Sequence, residues 1–435
     1  MALFKKPVNF NSLKAQLKSG NLRQITENFL SLSTVQLLGY IFPLIILPYL
    51  VRTIGTEKFG LTETATSFLG IFLMLTNYGF PYSASRQISI ARDNRKSVSE
   101  IFSAVLTLKI LFMVIGFLIL CSFIFTVNKF RTEQSLYLWS FGAIIGDVLF
   151  PIWLFQGLEQ MRYISVLNLT ARGLILGLTI WFVRTPEDYI FVPIVNSIGQ
   201  ICIGITSIVI AHKRLDVRFT VPTISHLQFQ LREGWNTFVS GAAINFYTQT
   251  RVFIFSLFAS KTLVGYYSLA QKVAGMFQVY PIATLLNASL PRLNHLYSTN
   301  RQRSIELLRT MQRYTSYYTL IAAPLCFIFA PQLMRLVTHE SLAESILTFR
   351  ILLFSVSIAN MNIFRVHYFI ISGNYLLFSR IHTIASFMGI ILILILTQLY
   401  VHIGMAIAVS LLELGIFIAT YILTRRYFYK EMQFH

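Results

Sequence analysis

Charge is scarce in this chain, and acidic charge scarcer still. Only 12% of its 435 residues are charged, with 17 Asp and Glu against 36 Lys and Arg. A soluble domain carries about twice that charged fraction, so a soluble globular protein is excluded. Cysteine is nearly absent: Cys121, Cys202 and Cys326 lie far apart inside apolar stretches. That rules out a disulfide scaffold and leaves no metal-ligand spacing. No Walker A loop, zinc motif or nucleophile elbow occurs. No polar segment is long enough for a soluble nucleotide-binding domain, and the loops on one side run to only about 5–10 residues. An enzyme with an acid–base centre outside the membrane has no room. Residues 1–27 are basic without an apolar core, so no cleavable signal peptide is expected; a basic tail or a short interfacial helix around Leu13 and Leu17 fits them equally.

What the chain does have is apolar length. Hydrophobic residues make up 55% and mean hydropathy is +0.63. Between charge clusters and turn residues the apolar stretches read as 28–51, 59–90, 98–127, 135–157, 163–183, 188–211, 234–258, 263–291, 314–334, 345–372, 380–398 and 402–424. Each reaches the roughly 20 residues that a helix needs to cross a bilayer. Helices are expected because backbone groups in lipid must be satisfied within each segment. The predicted fold class is therefore an all-α polytopic membrane protein of about 12 transmembrane helices.

Twelve spans put both termini on one side, and the basic residues choose it. Taken as cytoplasmic, that side carries twenty-two Lys and Arg, including Arg92, Arg95, Lys96, Lys213 and Arg214; the opposite loops carry seven: Arg52, Lys58, Lys129, Arg131, Arg184, Lys261 and Arg335. The asymmetry predicts cytoplasmic termini. It also accounts for most of the net charge of +19, so nucleic acid is not an expected partner.

The longest internal polar stretch, residues 212–233, divides the chain into two sets of six spans. The predicted parts are a basic segment 1–27, an N-lobe 28–211, a cytoplasmic linker 212–233, a C-lobe 234–424 and a tail 425–435. A weak internal echo supports the division: Phe59-Gly60-Leu61 corresponds, at an offset of 205, to Val264-Gly265-Tyr266. Six spans per half orient both lobes alike, about an axis along the membrane normal, and such lobes enclose a cavity that rocking opens to either face. In the first span Gly39, Pro43 and Pro48 interrupt the helix; interior prolines bend a helix, and a hinge or a static kink satisfies the pattern.

Seven cations fall inside predicted spans. Intramembrane charge is costly and faces a bundle interior or a wet cavity. Arg86 and Arg350 lie near span ends and can snorkel to the interface. Lys109, Arg172, Arg251, Lys272 and Arg365 are deeper and form the candidate cavity set. The deep carboxylates Glu63, Asp147 and Glu413 are candidates for ion coupling or for charge pairing, an Asp147–Arg172 pair among them. A cationic cavity implies an anionic substrate, since Arg grips phosphate oxygens bidentately and Lys supplies a point charge.

Two runs carry a family likeness. Arg52-Thr53-Ile54-Gly55-Thr56-Glu57-Lys58-Phe59-Gly60 with Tyr78-Gly79-Phe80 and Ser85-Arg86-Gln87-Ile88-Ser89, and then Trp153-Leu154-Phe155-Gln156-Gly157-Leu158-Glu159-Gln160-Met161-Arg162-Tyr163, resemble the signatures of Wzx-type polysaccharide flippases. These belong to the multidrug/oligosaccharidyl-lipid/polysaccharide (MOP) exporter superfamily. The resemblance implies two lobes around a central cavity, a bacterial inner membrane location and a transporter, not an enzyme. The implied substrate is an undecaprenyl-pyrophosphate-linked oligosaccharide, flipped to the periplasmic leaflet by alternating access. No cofactor is expected; the deep carboxylates leave coupling to a proton or sodium gradient open, and a polysaccharide polymerase and chain-length regulator are candidate partners beside membrane lipids. The rival expectations are a multidrug or cation exporter of the same superfamily, and a membrane polymerase or glycosyltransferase.

Overall fold

The computed structural model describes residues 20–278, 282, 284–339 and 342–433, and among them the regular structure is entirely helical. Reading along the chain, α1 spans Gly20–Asn77, α2 Phe80–Ala91, α3 Arg95–Thr126, α4 Asn128–Arg131, α5 Gln134–Leu149, α6 Ile152–Gly157, α7 Met161–Phe182 and α8 Phe191–Lys213. After the linker come α9 Ile224–Phe258, α10 Lys261–Gln278, α11 Thr284–Thr299, α12 Arg301–Ile328, α13 Ala330–Thr338, α14 Ala343–Asn360, α15 Ile363–Ile371 and α16 Tyr375–Gln433. The expectation for the N-terminal segment falls mostly on residues 1–19, outside those described.

Local chemistry sets the ends. The Asn94 side chain accepts from the backbone N–H groups of Lys96 and Ser97 and starts α3; Thr223 and Asn300 cap α9 and α12 through the N–H groups of His226 and Arg303. Such caps satisfy donors that the first turn leaves without a helical partner. Pro151, which lacks an N–H, separates α5 from α6.

By length and hydropathy seven helices qualify as membrane spans, or eight counting α12 with α13, which meet at 68°. Two of the seven, Ile41–Ala91 and Leu376–Arg425, cover 51 and 50 residues. Straight helices of that size would reach roughly 75 Å, against a hydrocarbon core of about 30 Å. Each contains a break. In α1 it is Gly55 (φ 75°, ψ 167°), in α16 Val401 (φ 49°, ψ −118°). At Val401 the chain doubles back: a Cβ on Gly404 would collide with the Leu396 carbonyl, whereas residues eight apart on a straight helix are about 12 Å apart. The reversal at Val401 falls in the gap expected between the spans 380–398 and 402–424. Pro43 and Pro48 sit inside α1, and the backbone stays helical through them and through Gly39.

The buried core falls into three clusters. One gathers residues from Leu61 to Val217 together with Phe253. A second joins Leu47, Leu50, Val51, Ile54 and Phe59 of α1 to C-terminal residues from Tyr247 to Leu412. The third, around Leu293, Phe364, Tyr368 and Phe369, lies wholly in the second half. Before its break α1 contributes its buried apolar residues to the cluster of C-terminal helices, and from Leu61 onward to the N-terminal cluster, while Tyr49 donates to the Ile180 and Val183 carbonyls and Gly60, Glu63 and Ser67 keep contacts with the other half. This exchange clamps the two halves together and was not apparent from the division at 212–233.

Candidate functional site

The deep charges sort into four places. In the N-terminal half, Lys109 of α3 is 1% exposed. Its Nζ lies 3.2 Å from Asp147 Oδ2 of α5 and also donates to Asn77 Oδ1 and the Asp147 carbonyl, both at 3.2 Å; Asn77 Nδ2 donates to the same carboxylate at 3.3 Å. Lys109 is therefore the cationic partner of Asp147, in place of the Arg172 considered from sequence. It is enclosed in this conformation, not presented to open space. Asp147 also borders a pocket of about 220 Å³ in which Thr62, Thr66, Ser140, Asn196 and Gln200 sit among apolar residues such as Leu69, Leu73 and Ile144. The partner missed from sequence is Asn77, whose only signal was its position ahead of the Tyr78-Gly79-Phe80 motif.

Between the halves stands a second ion pair, Lys272 of α10 with Glu63 of α1, at 3.1 Å. The lysine side chain is 44% exposed and the glutamate 18%, so the lysine fronts open space. Gly275, one turn on, likewise has nothing near its missing Cβ. Arg172 of α7 is exposed, and its neighbours Gly173 and Gly177 also face open space. Both α7 and α10 pack on α1. Two of the five candidate cations, Arg172 and Lys272, are thus the accessible ones beside the helix that links the halves.

The third place is in the C-terminal half. Arg251 of α9 lies among Tyr247, Tyr267 of α10 and Glu413 of α16. Arg251 and Tyr247 are in side-chain reach of each other, while the buried Tyr267 hydroxyl has no hydrogen-bond partner among the described residues. Unpaired buried polar atoms cost free energy, so this cluster favours water, an ion or a shifted side chain. The fourth place is remote: Arg365 of α15 packs its guanidinium 5.0 Å from the Phe417 ring and 5.3 Å from the Tyr421 ring, both on α16. Its expected neighbourhood with the other four cations is not what the structure places; it belongs to a separate pocket.

The halves touch at both ends of the bundle. At the end away from the linker, Gly60 of α1 crosses Gly265 of α10. A Cβ on Gly60 would collide with the Lys261 carbonyl and the Gly265 nitrogen, and one on Gly265 with the Thr56 carbonyl. These are the two glycines related by the 205-residue offset, brought face to face. Around them Glu133 takes an ion pair from Lys261 at 2.7 Å and a hydrogen bond from the Tyr189 hydroxyl at 2.8 Å. Lys129 donates to the Ser256 and Leu257 carbonyls at 2.6 and 3.2 Å, and Arg52 donates to those of Leu336 and Val337. Burial works against the Glu133 anion, yet the Lys261 and Tyr189 hydrogen bonds and the Lys261 and Lys58 charges outweigh it and lower its pKa. Burial and the Lys261 charge lower that of Lys129.

At the linker end, Tyr78 stacks on Phe238 with ring centroids 4.7 Å apart. The left-handed Gly79 (φ 81°) fits against the Gly234 carbonyl, 2.8 Å from where its Cβ would be. Gln87 and Gln230 exchange amide hydrogen bonds at 3.1 and 2.7 Å. Midway, the Ser67 hydroxyl donates to the Gln249 carbonyl and accepts from Phe253 N–H, and Phe68 stacks on Phe253 at 4.4 Å. No group of three or more His, Cys, Asp or Glu with metal-holding geometry occurs among the described residues.

Comparison with known proteins agrees with this architecture. The family described as "Polysaccharide biosynthesis protein" matches residues 25–296. A protein of Escherichia coli (strain K12) named "Putative O-antigen transporter" is 28% identical over 399 residues, covering 90% of this chain and 95% of that one. Among solved structures, the lipid II flippase MurJ in an inward closed conformation superposes with a TM-score of 0.74 at 14% identity, covering 92% of this chain and 87% of that one. An inward-facing multidrug resistance MATE transporter of the MOP superfamily gives 0.60 at 15%, covering 88% and 97%. The fold is that of the MOP superfamily, and the relatives are transporters, not enzymes.

Proposed function

The chain belongs to the polysaccharide biosynthesis protein family, and from that premise we propose that it flips undecaprenyl-pyrophosphate-linked oligosaccharide repeat units across the bacterial inner membrane, from the cytoplasmic to the periplasmic leaflet. The observation that carries the reading is the placement of charge. Each deep carboxylate stands against a cation: Asp147 with Lys109, Glu63 with Lys272, Glu413 near Arg251. The exposed Arg172 and half-exposed Lys272 then supply positive charge beside the lobe-linking helix α1. This balance suits a pyrophosphate and disfavours the organic cations of a drug exporter.

The basic asymmetry of the loops supports placing the termini and the linker in the cytoplasm. The Gly60–Gly265 crossing then closes the periplasmic end and the Tyr78–Phe238 stack the cytoplasmic end. Alternating access breaks one set of contacts while keeping the other. On this reading the substrate pyrophosphate competes with Glu63 for Lys272, loosening a deep ion pair that spans the lobes. Glu63 and Asp147 are the carboxylates through which a proton or sodium gradient would act, and Gly39, Pro43 and Pro48 the segment of α1 that would flex. The lipid tail stays in the bilayer while the glycan crosses a wet interior. A polymerase and chain-length regulator would receive the product.

The test is the leaflet location of lipid-linked repeat units in cells depleted of the protein, read with a membrane-impermeant glycan-modifying enzyme on oriented vesicles. Accumulation on the cytoplasmic leaflet, relieved by the wild-type chain and reduced at least tenfold in rescue by Lys272→Ala or Arg172→Ala at equal expression, is expected. Normal translocation followed by a block in polymerisation would overturn the reading.

A further inference from the structure

One cationic pocket lies outside the site described above. It is bounded by α12, α15 and α16, has a volume of about 470 Å³, and is lined by Arg309, Arg313, Arg365, Arg425, Gln312 and Tyr421 among others. None of its lining residues comes from α1, α9 or α10, three of the helices on which the halves meet. Among the described residues no carboxylate lines it; the exposed Glu306 is one turn earlier on α12, and Arg309 and Arg425 also make contacts of their own. Gln312 is 8% exposed and Arg365 is half-buried against two rings. Two side chains thus form a polar floor, and three exposed arginines form the rim.

The level of this pocket in the bundle identifies its ligand. On α12 the exposed large apolar side chains begin at Tyr314 and continue through Tyr317, Leu320 and Ile321. On α16 they run through Ile418, Tyr421 and Ile422, and the exposed Arg425 follows. Arg313 therefore immediately precedes one lipid-facing band and Arg425 closely follows the other. Tyrosines at such an edge mark the headgroup level, where their rings are part apolar and part wet. Arg309 and Arg313 lie roughly 12–18 Å along α12 from its start, so α12 enters the bilayer at the pocket. Arginine pairs planar, bidentate N–H groups with phosphate oxygens, and basic residues at this level attract anionic lipids.

We infer that this pocket binds the phosphate of an anionic lipid headgroup in the leaflet at the linker end, apart from the transport path. Arg365, braced by Phe417 and Tyr421, and Gln312 take the phosphate oxygens; Arg309, Arg313 and Arg425 hold the rim. The inference does not depend on what the protein transports, since the ligand is a bilayer component held on the outer flank of the C-terminal half.

The test is the thermal unfolding midpoint of delipidated, purified full-length protein titrated separately with short-chain phosphatidylglycerol, phosphatidylcholine and inorganic pyrophosphate. Phosphatidylglycerol should stabilise the wild type, with an apparent affinity roughly fivefold weaker for each arginine removed. The exposed Arg313→Gln tests this without touching the packed interior, Arg365→Gln tests the floor, and Arg131→Gln, an exposed cation at the opposite end, should titrate like wild type. If phosphatidylcholine stabilises equally, or the Arg313 and Arg365 variants titrate like wild type, the site is refuted. If pyrophosphate alone gives the arginine-dependent shift, the phosphate site stands and its ligand is soluble.

Discussion

Lys109 illustrates how one side chain's role turns on its neighbours. Its depth, roughly 16 Å into the third span at 1.5 Å per residue, marks it as costly, and depth alone does not distinguish a substrate contact from a paired charge. The structure surrounds its ammonium with Asp147 and Asn77. Removing either member of such a pair strands the other. Lys109→Ala should cost roughly 3 kcal/mol, at the lower end for a broken buried pair because Asp147 is 29% exposed. Lys109→Met with Asp147→Asn should recover most of that loss, as chemical denaturation would measure. A double variant no more stable than the single one would mean that the pair is not the reason for the lysine. Lys272 is the contrasting case: its partner Glu63 was identifiable as a deep acid, but only tertiary structure joins α1 to α10.

At the scale of elements, the informative unit is the pair of helices meeting at Gly60 and Gly265. Both glycines open a helix after a short polar turn, a pattern that sequence explains as turn chemistry. Their contact gives a stronger reason, because neither position has room for a methyl group. Small residues let membrane helices approach backbone to backbone. Gly60→Ala or Gly265→Ala should therefore separate the helices at this end while leaving the protein folded. Spin labels replacing Arg131 and Ser260 should show the interlabel distance lengthening by several ångströms. Unchanged distances in both variants would show that the crossing does not hold this end closed. Helix existence was largely legible from apolar length, and breaks such as Tyr78–Gly79 from Gly and Pro. The reversal at Val401 was placed only as a short gap between spans, since nothing in a β-branched residue announces a positive φ.

For the molecule as a whole, the contacts at the Gly60–Gly265 end form a latch of charges around Glu133, Lys261, Lys129 and Arg52. The lowered pKa of Glu133 means that its contribution is complete above the usual carboxylate range and is lost only as pH falls through its folded value. The same spin-label distance should be constant between about pH 6 and 8 and should lengthen in Glu133→Gln at every pH in that window. A distance that changes between those pH values in the wild type would assign the response to another group.

Composition and periodicity were enough to establish a membrane-spanning helical protein and the basic bias of its loops, because the cost of burying backbone and charge in lipid acts on each segment by itself. The motifs at the first and fourth spans were enough to suggest the family. Which charges pair, which face open space, and that α1 divides itself between both halves depended on the tertiary structure. Those are relations between segments tens to hundreds of residues apart, and the energy of an ion pair or a helix crossing resides in the distance between partners, which linear order does not contain.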